Sequence, residues 1–135
     1  MIRLLADANI QGQVAILVAR MQSETWRDFW DHLQLRLVAF ADVGLRLSDS
    51  DAVVWRRCQE QGLVLLTDNR NEDGPDSLEA TVRIHTTPIS LPVFTISDVR
   101  SLSSDARYAG RVIERLFVYL LELDNIRGAG RLYLP

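Results

Sequence analysis

The sequence predicts a three-layer α/β/α domain built on a mainly parallel sheet of four to five strands. Three observations lead there. Short apolar runs at Ile2 to Ala6, Leu35 to Phe40, Leu63 to Thr67 and Val93 to Ile96 are separated by segments whose apolar residues recur at helical spacing. Strands that alternate with helices in this way assemble into parallel sheets covered on both faces. Acidic residues collect after the first and third of these runs and at a helix start. The chain has 135 residues, 47% of them hydrophobic, enough for a buried core, and no repeat, low-complexity tract or linker divides it, so residues 1–135 read as one domain.

Ile2 to Ala6 carries one Arg in an otherwise apolar run and stops at Asp7-Ala8-Asn9, as a buried strand does when it ends in a polar loop. Asn9 is a helix cap by residue type. Ile10, Val14, Leu17, Val18 and Met21 then repeat at helical spacing and predict a first helix to about Gln22. Trp26, Phe29, Trp30 and Leu33 recur at i, i+3, i+4 and i+7, which predicts a short second helix from Ser23 with its aromatic stripe in the core. After the Leu35 to Phe40 strand and a mixed loop, Ser48-Asp49-Ser50-Asp51 opens the next helix. Residues of this type gather there because a helix start leaves amide donors unpaired and favours negative charge. Val54, Trp55, Cys58 and Gln61 mark its inner face, and Gly62 stops it before the clearest strand, Leu63 to Thr67. A loop of polar or loop-forming residues, Asp68 to Asp76, follows, with a short helix from Asp76. Pro88 and Pro92 bracket an irregular stretch before Val93 to Ile96. Ser104 or Asp105 caps a long helix carrying Ala109, Val112, Ile113, Leu116, Phe117, Leu120 and Leu121, and Gly128-Ala-Gly130 leads into a terminal strand from Arg131 to Leu134.

All 15 basic residues are Arg, against 18 acidic ones, for a net charge of -3. That balance argues against a broadly basic nucleic-acid coat and leaves room for a local basic patch. The single cysteine, Cys58, excludes an internal disulfide and a thiolate zinc site, and its place on an apolar helix face reads as a small buried hydrophobe. Asp7 comes too early for a signal-peptide core, and no apolar stretch approaches the roughly 18 residues of a membrane span. The expected setting is cytoplasmic, without a membrane partner. His32 and His85 lack partners at metal-ligand spacing, and no nucleophile elbow, Walker loop or dinucleotide fingerprint occurs.

In open parallel sheets, sites form outside the carboxyl ends of the strands, near the point where strand order reverses. Asp7 follows the first strand, Asp51 lies in the first turn of a helix, and Asp68, Glu72, Asp73 and Asp76 follow the third strand. If these converge they repel one another and call for a cation, and Mg²⁺ or Mn²⁺ is the natural occupant of an all-oxygen site. Such an ion suits phosphodiester hydrolysis. The alternative is that Asp49 or Asp51 serves only as a cap and the later carboxylates form a solvated loop.

The sequence resembles PIN-like domains, particularly the short stand-alone bacterial ones, through four stretches between residue 2 and about residue 80. These are Leu4-Leu5-Ala6-Asp7-Ala8-Asn9, the Val43-Gly44-Leu45 loop, the Ser50-Asp51 helix start with Gly62 after it, and Leu65-Leu66-Thr67-Asp68. The resemblance implies a PIN-type fold and a Mg²⁺/Mn²⁺-dependent ribonuclease site in which Asp7 and Asp51 stand at acidic metal-binding positions. The family commonly places its next Asp two residues after the Thr, where this chain has Asn69. Either Asp68 or Asp73 takes that role, with Asn69 as a neutral ligand, or the site lacks a ligand and the protein is a silent module acting through protein contact, as in a toxin–antitoxin-like pair.

Arg56, Arg57 and Arg70 fall near the acidic groups, where they would either contact substrate phosphates or neutralise the carboxylates in place of a metal. Arg107, Arg111 and Arg115 form an i, i+4, i+8 stripe that reads as a solvated helix face. Leu116 to Leu121 is apolar on nearly every side, which predicts cover from a second copy in a homodimer or from a partner protein.

Overall fold

The strands are kept short, and pleated against helices on both sides, by apolar runs of only four or five residues. A computed structural model describes residues 1–70 and 74–135. Its sheet comprises β1 (Ile2–Ala6), β2 (Leu35–Val38), β3 (Leu63–Thr67), β4 (Val93–Ile96) and β5 (Arg131–Leu134), all parallel, in the order β2-β1-β3-β4-β5. The helices are α1 (Gln11–Met21), α2 (Arg27–Leu33), α3 (Asp51–Gln61), α4 (Leu78–His85), α5 (Ser101–Ser104) and α6 (Ala106–Leu121). The expected three-layer α/β/α architecture is present.

Side chains alternate along each strand, and the two faces build separate cores. Leu4, Ala6, Val64, Leu66, Phe94 and Ile96 pack with the inner faces of α1 and α6. Leu5, Leu63, Leu65 and Val93 pack with α3 and α4 through Val54, Trp55, Cys58, Leu78 and Val82. β3 is buried at all five positions, as a central parallel strand requires. The chain leaves β1 for β2 on one side and returns to place β3 on the other, so the order reverses between β1 and β3. The crevice beyond their carboxyl ends is where such sheets bind ligands.

Several boundaries differ from the sequence reading for local reasons. A short 3-10 turn, Ala8–Ile10, precedes α1, and its cap is the Asp7 side chain rather than Asn9. Ser23 to Trp26 form a turn before α2, and Gln34 closes that helix in the left-handed region at φ 51°. Phe40 belongs to a 3-10 turn beyond β2, α4 starts at Leu78 under a Ser77 cap, and the four-residue α5 precedes α6. The aromatic stripe is split: Trp30 is buried, while Trp26 and Phe29 lean on Phe117 with ring centroids 5.7 and 5.5 Å away. At the end of α6, Leu116, Phe117 and Leu120 are buried, whereas Val118 and Leu121 remain exposed. Among the described residues no helix is long and apolar enough to cross a membrane.

Candidate functional site

Asp7 continues β1 by one residue, its N–H donating to Leu66 O at 2.9 Å, so the alternation of the strand turns its carboxylate toward the α3 face. The carboxylate is nearly buried and fully engaged. Oδ1 accepts from the Ala8 N–H at 2.7 Å, and Oδ2 accepts from the Thr67 hydroxyl at 2.7 Å. Thr67 is completely buried, and its Oγ1 in turn accepts the Asn69 N–H at 3.0 Å. The Asn69 side-chain amide then donates to Asp51 Oδ2 at 2.9 Å, and the Leu78 N–H reaches the same oxygen at 3.2 Å. One continuous chain of hydrogen bonds therefore joins Asp7, Thr67, Asn69 and Asp51 across the crevice between β1, β3 and the start of α3.

Each link has a local cause. Ser50 caps α3 by accepting from the Val53 N–H, which leaves Asp51, in the first turn, available to cap α4 through Leu78. Odd-numbered positions of β3 face α3, and Asn69 keeps that parity beyond the strand end while Asp68 does not. The residue that reaches Asp51 is accordingly Asn69. Asp68 is half-buried and makes no hydrogen bond or ion pair among the described residues. Asp73 and Glu72 lie outside the described residues.

Of the arginines expected nearby, Arg57 and Arg70 each donate to a backbone carbonyl. Arg57 donates to the Val43 carbonyl, and the loop accommodates its guanidinium because residue 44 is glycine: at φ +73° a Cβ would stand 2.7 Å from Arg57 Nη1. Arg70 is exposed and donates to Ser97 O at 2.8 Å, at the carboxyl end of β4. Arg56 is exposed. Among the described residues no arginine pairs with Asp7 or Asp51, so replacement of a cation by guanidinium is not how these carboxylates are satisfied.

Arg131 was not singled out by the sequence. Its side chain, only 6% exposed, donates from Nε to Glu79 Oε2 at 3.0 Å and from Nη1 to Asn69 O and to Thr95 Oγ1, both at 2.7 Å. Asn69 is thus held at its N–H, its C=O and its side chain by three different elements. Thr67 carried a weak signal, a hydroxyl closing an otherwise apolar strand. Arg131 carried none.

Burial pushes the Cys58 thiol up to about 12, and the Asp7 charge facing it adds to the effect. The thiol is therefore inert at neutral pH. Among the described residues no three His, Cys, Asp or Glu side chains gather closely enough to hold a metal ion. The oxygen-bearing groups joined there are instead the carboxylates of Asp7 and Asp51, linked through Thr67 and Asn69. Hard oxygens of this kind suit Mg²⁺ or Mn²⁺, and Mg²⁺ is commonly held by one or two carboxylates with water and substrate completing its shell. Comparison with protein-family models, with curated proteins and with solved structures returns no match for this chain.

Proposed function

We propose that the chain is a PIN-like, Mg²⁺/Mn²⁺-dependent ribonuclease whose ion is held by Asp7 and Asp51 with Asn69 as a neutral oxygen ligand. One observation carries this reading: the hydrogen-bonded run from Asp7 through Thr67 and Asn69 to Asp51 lies at the strand switch point. When bound, such an ion activates a water and stabilises the charge that builds on a phosphodiester oxygen. Thr67 and the Ala8 N–H orient the Asp7 carboxylate, and the Leu78 N–H orients that of Asp51. A cytoplasmic setting, and a homodimer through Leu121 at the exposed end of α6, belong to the same proposal.

A silent, protein-binding module is the second reading. Its support is that Asn69 offers Asp51 a donor where a third acidic ligand would stand, so the protein's own donors already meet both carboxylates.

Titrating Mn²⁺ against thermal stability, for the parent and for Asp7→Asn, separates the two. The ribonuclease reading expects a rise in Tm that the variant loses, together with Mn²⁺-dependent cleavage of single-stranded RNA by the parent. No shift in either protein sinks it.

A further inference from the structure

We propose that the outer face of α6 is a binding track for single-stranded RNA that runs from the candidate site along Arg111 and Arg115. Arg107, Arg111 and Arg115 are all exposed, and none takes part in the three ion pairs found among the described residues. Two of them are already positioned by aromatic rings. The Arg111 guanidinium lies 5.7 Å over the Tyr108 ring and that of Arg115 lies 5.9 Å over Tyr119. Such stacking reduces the freedom an arginine loses when it meets a phosphate, because a guanidinium lying on a ring keeps its N–H donors.

The surface between them is concave. Trp26, Tyr108, Arg107 and Arg111 border a groove of about 670 Å³, and Arg111, Glu114, Arg115, Val118 and Pro135 border a second of about 300 Å³ that shares Arg111 and Glu114 with the first. Successive arginines four residues apart on a helix stand about 6 Å apart along its axis, comparable with the separation of neighbouring phosphates in an extended strand. Half-buried Trp26, stacked on Phe117, lines the first groove, and an aromatic beside arginines is the combination by which single strands are bound without sequence preference. Asp105 and Glu114 also border the first groove; Asp105 is engaged as the α6 cap, accepting the Tyr108 N–H at 3.0 Å.

The track reaches toward the candidate site at the carboxyl end of β4. The Tyr108 hydroxyl accepts the Asp98 N–H at 2.9 Å and donates to Pro135 O, and Arg70, next in chain to Asn69, binds the adjoining Ser97 carbonyl. A strand laid along α6 would pass Tyr108 and Arg70 on its way to Asp51. The direction of this path rests on the ribonuclease reading; the binding does not.

The test is fluorescence anisotropy with a short labelled oligouridylate, in EDTA so that the probe stays intact, for the parent, the Arg111→Gln/Arg115→Gln double variant and Arg36→Gln, an exposed arginine on the opposite edge strand. The double variant should bind about tenfold more weakly, and its slope of log affinity against log salt should fall by about 1.4, two phosphate contacts on a single strand. Arg36→Gln should match the parent. The track is overturned if the parent does not bind the oligonucleotide, if the double variant binds as the parent does, if Arg36→Gln weakens binding equally, or if labelled polyglutamate binds as well as the RNA. Binding through these arginines without Mn²⁺-dependent cleavage would refute the ribonuclease reading and leave the track standing. Cleavage with unaltered binding by the double variant would do the reverse.

Discussion

Replacing Asn69 by Asp exchanges a donor aimed at Asp51 for a second negative charge, and the structure sets the size of the effect. The amide bond to Asp51 Oδ2, 2.9 Å long, is lost; hydrogen bonds to charged groups contribute about 1.5–3 kcal/mol. Two carboxylates about 4 Å apart repel by about 4 kcal/mol at an effective dielectric of 20. Both positions are half-buried, so water and side-chain motion reduce that repulsion to about 1 kcal/mol. The Asn69→Asp variant should therefore lose about 2–4 kcal/mol at pH 7 in EDTA, a fall in Tm of about 6–14 °C for a domain of this length. Like-charge repulsion raises the pKa of one carboxyl in the folded state, so the penalty is present above that pKa and relieved as the pH falls through it. Urea denaturation at pH 7 and pH 5, with and without Mn²⁺, measures all of this. Mn²⁺ should restore the variant by more than it stabilises the parent. A variant as stable as the parent in EDTA would show that the amide contact does not hold the site together. A destabilised variant that Mn²⁺ leaves unchanged would show that no ion sits between these side chains.

Two further outcomes follow from buried groups. Arg131→Met strips donors from Asn69 O and Thr95 Oγ1 and leaves Glu79 without its partner, which should cost about 2–4 kcal/mol by urea denaturation, with Arg131→Lys recovering only part because an ammonium cannot span the three acceptors; a loss below about 1 kcal/mol for the Met variant would contradict a clamping role. Cys58, raised from 9.0 to about 12 by burial and by Asp7, favours folding while the thiol is protonated, so its contribution is complete below pH 9 and lost between pH 9 and 12. Comparing parent and Cys58→Ala at pH 8 and pH 11 isolates this from Tyr108, which burial also raises. An equal alkaline loss in both proteins would contradict the assignment.

The residues most legible in the sequence were those whose surroundings are local. Asp7 ends an apolar strand and Asp51 follows a run of capping residues, so both could be placed at carboxyl ends before any contact was known. Strand alternation also orders Thr67, Asp68 and Asn69 at the end of β3, because Thr67 and Asn69 share the parity of Leu63 and Leu65 while Asp68 does not. The caps were less legible: Asn9 and Asp7 are both good caps, and only the path of the chain out of β1 selects Asp7. Arg131 was illegible for a stronger reason. Its partners Asn69 and Glu79 lie 62 and 52 residues away, and they meet it only because β5 is laid beside β4, an adjacency that hydrophobic pattern does not encode. The stripe on α6 was visible as spacing, but the rings that position Arg111 and Arg115 and the contact of Arg70 with the Ser97 carbonyl belong to tertiary structure.

The identity of residue 69 governs how folding and metal binding relate. With an amide there, the crevice holds two negative charges, and each meets donors of the protein itself: the Thr67 hydroxyl and Ala8 N–H on Asp7, the Asn69 amide and Leu78 N–H on Asp51. The pair can therefore fold without an ion, unlike a structural zinc site, whose binding energy is folding energy. A third carboxylate in place of the amide would couple the two processes, since repulsion would then have to be relieved by a proton or a cation. Asn69 thus separates the stability of the fold from the occupancy of the site, and chelation should leave this chain folded while removing whatever chemistry an ion supplies.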